Sequence, residues 1–237
     1  MAMEKYLRPQ KHRSWFNVAP LNQLPSSGVE RLDFLDSFVT VEKRVCDPQY
    51  TVRYEGVESM LVTEQFGFLC VWFGENLQQA EWPFPTLFDE SFGKDFVIVG
   101  PRIFESTNLL DLIENNGDQL HFKTVHDWLE SRIWDHHYDE KVFRLRMSGK
   151  VRYGRSADSE LKRKLTQLLP PSEYAQDLAF HGPGFGAGQI ETSTGVRAQL
   201  VLAFLPVGDH DLRLHVAVSV DERSLPNWMY QIFHRTP

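Results

Sequence analysis

From residue 141 the chain alternates apolar and polar side chains with a period of two, in KVFRLRMSGKVRYG (141–154), DLAFHGPGFGAGQIETSTGVRAQLVLAFLPV (177–207) and HDLRLHVAVSV (210–220). Successive side chains of a strand point to opposite faces, so such segments sit as strands with one face on a core. Taken in order they predict consecutive antiparallel strands. SELKRKLTQLL (159–169) interrupts them as a short amphipathic helix ended by Pro170 and Pro171, which lack the amide hydrogen a continuing helix needs. With helical segments beside the strands, the fold class this implies is α+β.

A longer helix follows a strand in DFVIVGPRIFES (95–106), and Ser106, Thr107 or Asn108 can cap it. Leu109, Leu110, Ile113, Leu120, Val125, Trp128 and Leu129 form its apolar stripe, broken by Asn115, Asn116 and Gly117, which are poor helix formers. At its centre ENNGDQLHFKTVH (114–126) places Asp118, His121 and His126 behind Glu114 and Asn115. Two imidazoles and a carboxylate are the donor set of facial non-haem iron(II) sites. At roughly 100° per residue Asp118 and His121 lie about 60° apart, whereas His126 lies about 140° from His121. The two imidazoles converge only across a helix end, a kink or a π-bulge. The chain holds nine histidines, so two ordinary histidines beside a solvated aspartate are the competing reading. His136 and His137, being adjacent, point different ways and read as surface or rim residues.

Upstream, residues 13–44 read as a strand, a Pro-Ser-Ser-Gly turn and two strands whose apolar faces hold Val29, Leu32, Phe34, Phe38, Val39 and Val41. Residues 51–85 carry EQFGFLCVWFG (64–74) and a proline-rich exit. Cys70 in that apolar run reads as a buried core thiol. Cys46 and Cys70 cannot build a disulfide framework, which together with an N-terminus lacking an apolar leader core predicts a cytoplasmic protein. A net charge of −7 without a basic block argues against nucleic acid and anionic membrane surfaces. The apolar runs at 66–73 and 198–207 are too short to span a bilayer.

The order ENxxDxxHxxxxH resembles the iron-binding segment of the Rieske non-haem iron oxygenases. ENNGDQLHFKTVHDW looks most like the branch containing ketosteroid 9α-hydroxylases and cholesterol 7-desaturases. The resemblance implies that His121 and His126 ligate a mononuclear Fe(II). It makes Asp118 a hydrogen-bonding relay toward a Rieske cluster in a neighbouring subunit, with Glu114 and Asn115 supporting the array. It also implies a helix-grip catalytic-type domain over 86–237, akin to the START and Bet v 1 folds. FHGPGFGAGQIET resembles that domain's G-x-G strand across the substrate cavity, and LPVGDHDLRLHV resembles its next hairpin. Residues 1–85 resemble a small Rieske-like β-domain, in W-x-x-V-A, a V-x-V-x-R strand and the last hairpin from Glu64.

Two departures from the family stand out. Rieske centres need two Cys and two His; Cys46 is followed by Asp-Pro-Gln and Cys70 by Val-Trp-Phe, so no [2Fe–2S] cluster is expected and the β-domain is degenerate. The family's third iron ligand, a carboxylate, lies on the long C-terminal helix past the point where LPNWMYQIFHRTP (225–237), resembling that helix's start, ends. Asp209, Asp211, Asp221 and Glu222 do not match its position.

The function implied is an oxygenase acting on a bulky apolar, sterol- or aromatic-like substrate, with electrons from a partner protein or cluster-bearing subunit and a homo-oligomeric, trimeric assembly. The alternatives are a catalytically inactive helix-grip protein holding a hydrophobic ligand, or a truncated gene product. A di-iron bundle would need the D-x-x-H motif twice, and zinc hydrolysis would need H-E-x-x-H or a comparable base. One expectation is directly measurable: iron–sulfur reconstitution should yield no acid-labile sulfide and no visible Rieske absorption, and stoichiometric sulfide would overturn the reading of residues 45–64 as lacking the cluster loops.

Overall fold

The computed structural model describes residues 13–45, 49–85, 96–105, 107, 115, 118–125, 128–139, 142–151, 172–207 and 211–224. The first strands are β1 (Ser14–Pro20), β2 (Gly28–Phe34), β3 (Ser37–Lys43), β4 (Tyr50–Tyr54), β5 (Glu58–Ser59), β6 (Val62–Gln65), β7 (Phe68–Phe73) and β8 (Val97–Phe104). A helix, α1 (Gln119–Val125), precedes β9 (Trp128–Asp139), β10 (Val142–Val151), β11 (Ser172–His181), β12 (Phe185–Thr192), β13 (Arg197–Val207) and β14 (Asp211–Val220). The strands form three sheets, ordered β1-β7-β6, β2-β3-β4-β5 and β8-β14-β13-β12-β11-β10-β9.

Strand β7, FLCVWF, is apolar throughout because both its faces are covered. Leu69 and Val71 join Phe16 and Val18 of β1 against Phe34, Val39, Val41 and Val52 of the four-stranded sheet. Phe68, Cys70 and Trp72 join Trp15 against Phe185, Val201, Ala203 and Ala217 of the seven-stranded sheet. The three sheets therefore stack in layers. The β6–β7 hairpin turns through Phe66 and Gly67, at φ 56° and 79°, the left-handed pair that suits the right-handed twist of a two-residue hairpin.

The seven-stranded sheet is antiparallel at every junction, as its alternation predicts. On β13, Val201, Ala203 and Leu205 turn toward the N-terminal layers, while Leu200, Leu202 and Phe204 turn to the opposite face with Leu178, Phe180 and Leu212. On that opposite face the Phe180 ring lies over Gly186, where a Cβ would come within 2.7 Å of it. α1 packs there too, through Phe122 on Leu145 and Met147.

One expectation is corrected. Trp128 and Leu129 do not continue a helix; they open β9, a strand that pairs with β10 over nearly its whole length. Aromatic and apolar residues at 128, 129 and 133 serve either state, and the free edge of β10 decides for strand. The expected helices at 159–169 and 225–237, and the stripe residues Leu109, Leu110 and Ile113, lie outside the described residues.

Leu205, fully buried where β13 meets the N-terminal core, is the natural probe of this stacking. Leu205→Ala should cost about 2–5 kcal/mol, read as a lower urea midpoint, whereas Val29→Ala on the exposed sheet surface should leave the midpoint unmoved.

Candidate functional site

α1 spans seven residues and is positioned from both ends. At its start the Asp118 carboxylate accepts a hydrogen bond from the Leu120 amide at 2.8 Å, and the Phe122 amide donates to the Asp118 carbonyl at 3.3 Å. A short acceptor side chain satisfies an otherwise orphaned amide there, and its negative charge suits the helix N-terminus. The Asp118 amide in turn donates to the Asn115 carbonyl at 3.3 Å. At the other end Phe122 stacks on Trp128, with ring centroids 4.1 Å apart and 17° between planes. That stack decides which side of α1 faces the sheet. Leu120, expected on the buried stripe, is consequently 69% exposed.

Of the predicted site residues, Asp118 is exposed and Asn115 half-buried. His121 lies in α1, but its side chain, His126 and Glu114 lie outside the described residues. α1 is described to Val125 and β9 opens at Trp128; how the His121 and His126 imidazoles sit relative to one another lies outside the described residues. Among the described residues no group of three His, Cys, Asp or Glu could hold a metal ion. The capping role of Asp118 escaped the sequence reading, which sought the helix start at Ser106–Asn108. The signal available was an aspartate immediately ahead of the QLHFKTV run.

Several other charged and polar groups have structural roles. The buried Asp221 carboxylate lies between Arg223, whose Nε is 3.0 Å from Oδ1, and Arg197. Hydrogen bonds from Arg223 foremost, and from Arg197, hold its carboxyl below the usual range. His136 and His137 are exposed on β9, in keeping with a rim position. His215 is buried on β14 with Nδ1 3.0 Å from the Asn17 amide nitrogen of β1. Burial, aided by Arg213, pushes its pKa down to about 4, so at neutral pH it is an uncharged acceptor for the Asn17 amide. The Cys70 thiol is fully buried and its pKa is raised well above the usual value by desolvation, as expected of a core thiol.

A model of the family described as the 3-ketosteroid 9alpha-hydroxylase C-terminal domain matches residues 71–231. The chain belongs to that family, within the Rieske oxygenases. No curated protein matches it. Among solved structures it is similar to dicamba monooxygenase bound to dicamba, with a TM-score of 0.63 and 11% identity over 94% of this chain and 84% of the other. Dicamba monooxygenase with non-heme iron and dicamba gives a TM-score of 0.62 and 12% identity over 93% and 80%. The QL mutant of Pseudomonas putida CBB5 NdmA with theobromine gives 0.61 and 14% over 99% and 80%. At these identities the likeness is one of fold.

Capping and metal ligation by Asp118 are separable by substitution. Asn caps as well as Asp, so Asp118→Asn should retain the unfolding free energy of the parent while Asp118→Ala should lose about 1 kcal/mol, measured by denaturant titration of the metal-free protein.

Proposed function

We propose that the chain is a Rieske oxygenase-like protein whose catalytic-type domain, residues 86–237 in a helix-grip arrangement, binds a bulky apolar substrate beside a mononuclear iron. In this reading residues 1–85 are a degenerate Rieske-like β-domain without a cluster. The observation that carries the proposal is the placement of α1. It lies within the matched family segment, packs on the seven-stranded sheet through Phe122, and carries His121 in its sequence.

The donor set fits iron(II). His121 and His126 would supply two imidazoles, the commonest protein ligand for such an ion. The chemistry such an ion supplies when bound is activation of dioxygen for substrate oxidation. Asp118 holds the start of the ligand-bearing helix through Leu120 and is the nearest candidate for a third ligand, three residues from His121. The apolar face of β10–β14, with Leu178, Phe180, Leu202 and Phe204, would meet the substrate and exclude water. Electrons would come from a partner protein or cluster-bearing subunit, in a cytoplasmic, homo-oligomeric assembly. No helix among the described residues is long and apolar enough to cross a membrane.

Anaerobic titration with Fe(II) tests the site. The parent should bind one iron, His121→Ala and His126→Ala should each abolish binding, and Asp118→Asn should weaken it strongly if Asp118 is a ligand. As an outer hydrogen-bonding residue its loss would lower affinity by no more than about 10–100-fold. A parent that binds no Fe(II) at pH 7 yet binds sterol-like ligands would be a binding protein rather than an oxygenase.

A further inference from the structure

Strand β9 closes one side of the seven-stranded sheet, and among the described strands only β10 pairs with it. Its outer edge carries backbone donors and acceptors that no described strand takes up, an arrangement that templates pairing with another chain. Sheets blunt such edges with short strands, proline or charge. The opposite edge strand, β8, holds Pro101, which has no amide hydrogen to offer a neighbour. β9 runs for 12 residues without proline, and its Trp134 and Tyr138 are 53% and 71% exposed. It does carry charges, so their placement decides whether the edge is blunted or selective.

The register with β10 assigns each charge to a face. Glu130 lies opposite Lys150, Arg132 opposite Ser148, Asp135 opposite Arg146 and His137 opposite Arg144. Residues opposite one another share a face, so these four lie with the Lys150–Glu173 and Arg146–Asp177 ion pairs. Ser131 and His136 lie on the other face, opposite Gly149 and Leu145. The register slips between Ile133 and Asp135, leaving Trp134 as a bulged residue. Through that slip Arg132 and Asp135, three positions apart, share a face, which in an unbroken strand they would not.

Two copies of β9 set edge to edge about a two-fold axis run antiparallel. In the stagger that sets Ile133 against Trp134 of the second copy, Arg132 faces Asp135, Glu130 faces His137 and Ser131 faces His136. Each of these pairs shares a face, and the Arg132–Asp135 pair is made twice. Leu129 faces Tyr138 at either end. A slip of one residue sets opposite faces against each other. A slip of two sets Glu130 against Asp135 in one direction, and in the other it parts Arg132 from Asp135. Unlike charges at facing positions stabilise a strand pair and like charges oppose it, so the charges of β9 favour one stagger and disfavour its neighbours.

We infer that the outer edge of β9 is an interaction surface for a second copy of this chain, which adds its own β9 and joins two seven-stranded sheets into one. A two-fold contact closes on itself. It is therefore separate from any three-fold contact, giving a dimer alone or pairing two trimers, and it does not rest on the iron or substrate readings.

Sedimentation velocity on the full chain reads the contact as a doubling of mass, from monomer to dimer or from trimer to hexamer. Arg132→Asp sets aspartate against aspartate at both facing positions, and Asp135→Arg does the same with arginines. Each should weaken the doubling about tenfold or more, because two attractive pairs become repulsive. The two variants mixed in equal amounts should double again, since every aspartate then faces an arginine. The double variant Arg132→Asp/Asp135→Arg should do so by itself. Both side chains are exposed, so the variants should keep the parent's melting temperature. Trp134→Ser, at the exposed centre, should also weaken the doubling and stands in for either variant if one fails to fold. A parent that never doubles, doubling indifferent to the charge exchanges, or single variants that do not rescue each other would overturn the inference. Open-ended growth would do the same, because an isologous contact cannot produce it. Fe(II) titration still reports separately on His121 and His126.

Discussion

The double burial of the β1–β7–β6 sheet is the constraint on which the rest of the molecule depends. A strand solvated on one face alternates; β7 does not, and Phe68 through Trp72 are all withdrawn from water. Leu69 and Val71 belong to one core and Phe68, Cys70 and Trp72 to another, so a single strand joins the small four-stranded sheet to the large seven-stranded one. At roughly 1.5–3 kcal/mol for each fully buried large apolar side chain, the layers on either side of β7 are held far more firmly than by the few polar contacts between them. Among those polar contacts, Asn17 and His215 link β1 to β14 across the same interface.

Most of the sheet architecture was legible because period-two patterning is a local consequence of strand geometry. The alternation in 141–154, 177–207 and 210–220 corresponds to β10 through β14, and the hairpin around Phe66–Gly67 was readable from EQFGFLCVWF. The boundary at residues 126–128 was not readable. WLESRIWDHHYD has neither clean alternation nor a helix breaker, and β9 exists because β10 offers an edge to pair with. The layering was likewise hidden, since one apolar run does not say which residue meets which sheet.

The candidate site shows the same division. His121 and His126 attract attention by residue type and order, and the stretch between them runs through α1, described to Val125. What sequence order could not convey is that Asp118 holds the first turn of α1, so a residue singled out for chemistry also has a structural task.

The Phe180 ring resting over Gly186 has a further consequence. In most sheets each strand contributes side chains of its own height to a packing face; here β12 contributes a hollow, and its neighbour β11 folds an aromatic ring down into it. The surface that α1 overlooks is thereby lowered by about the depth of a methyl group along one strand. A single codon that put a Cβ at Gly186 would bring it within 2.7 Å of the Phe180 ring, so the ring would have to shift and the relief of that face would change without touching a strand pairing or a turn.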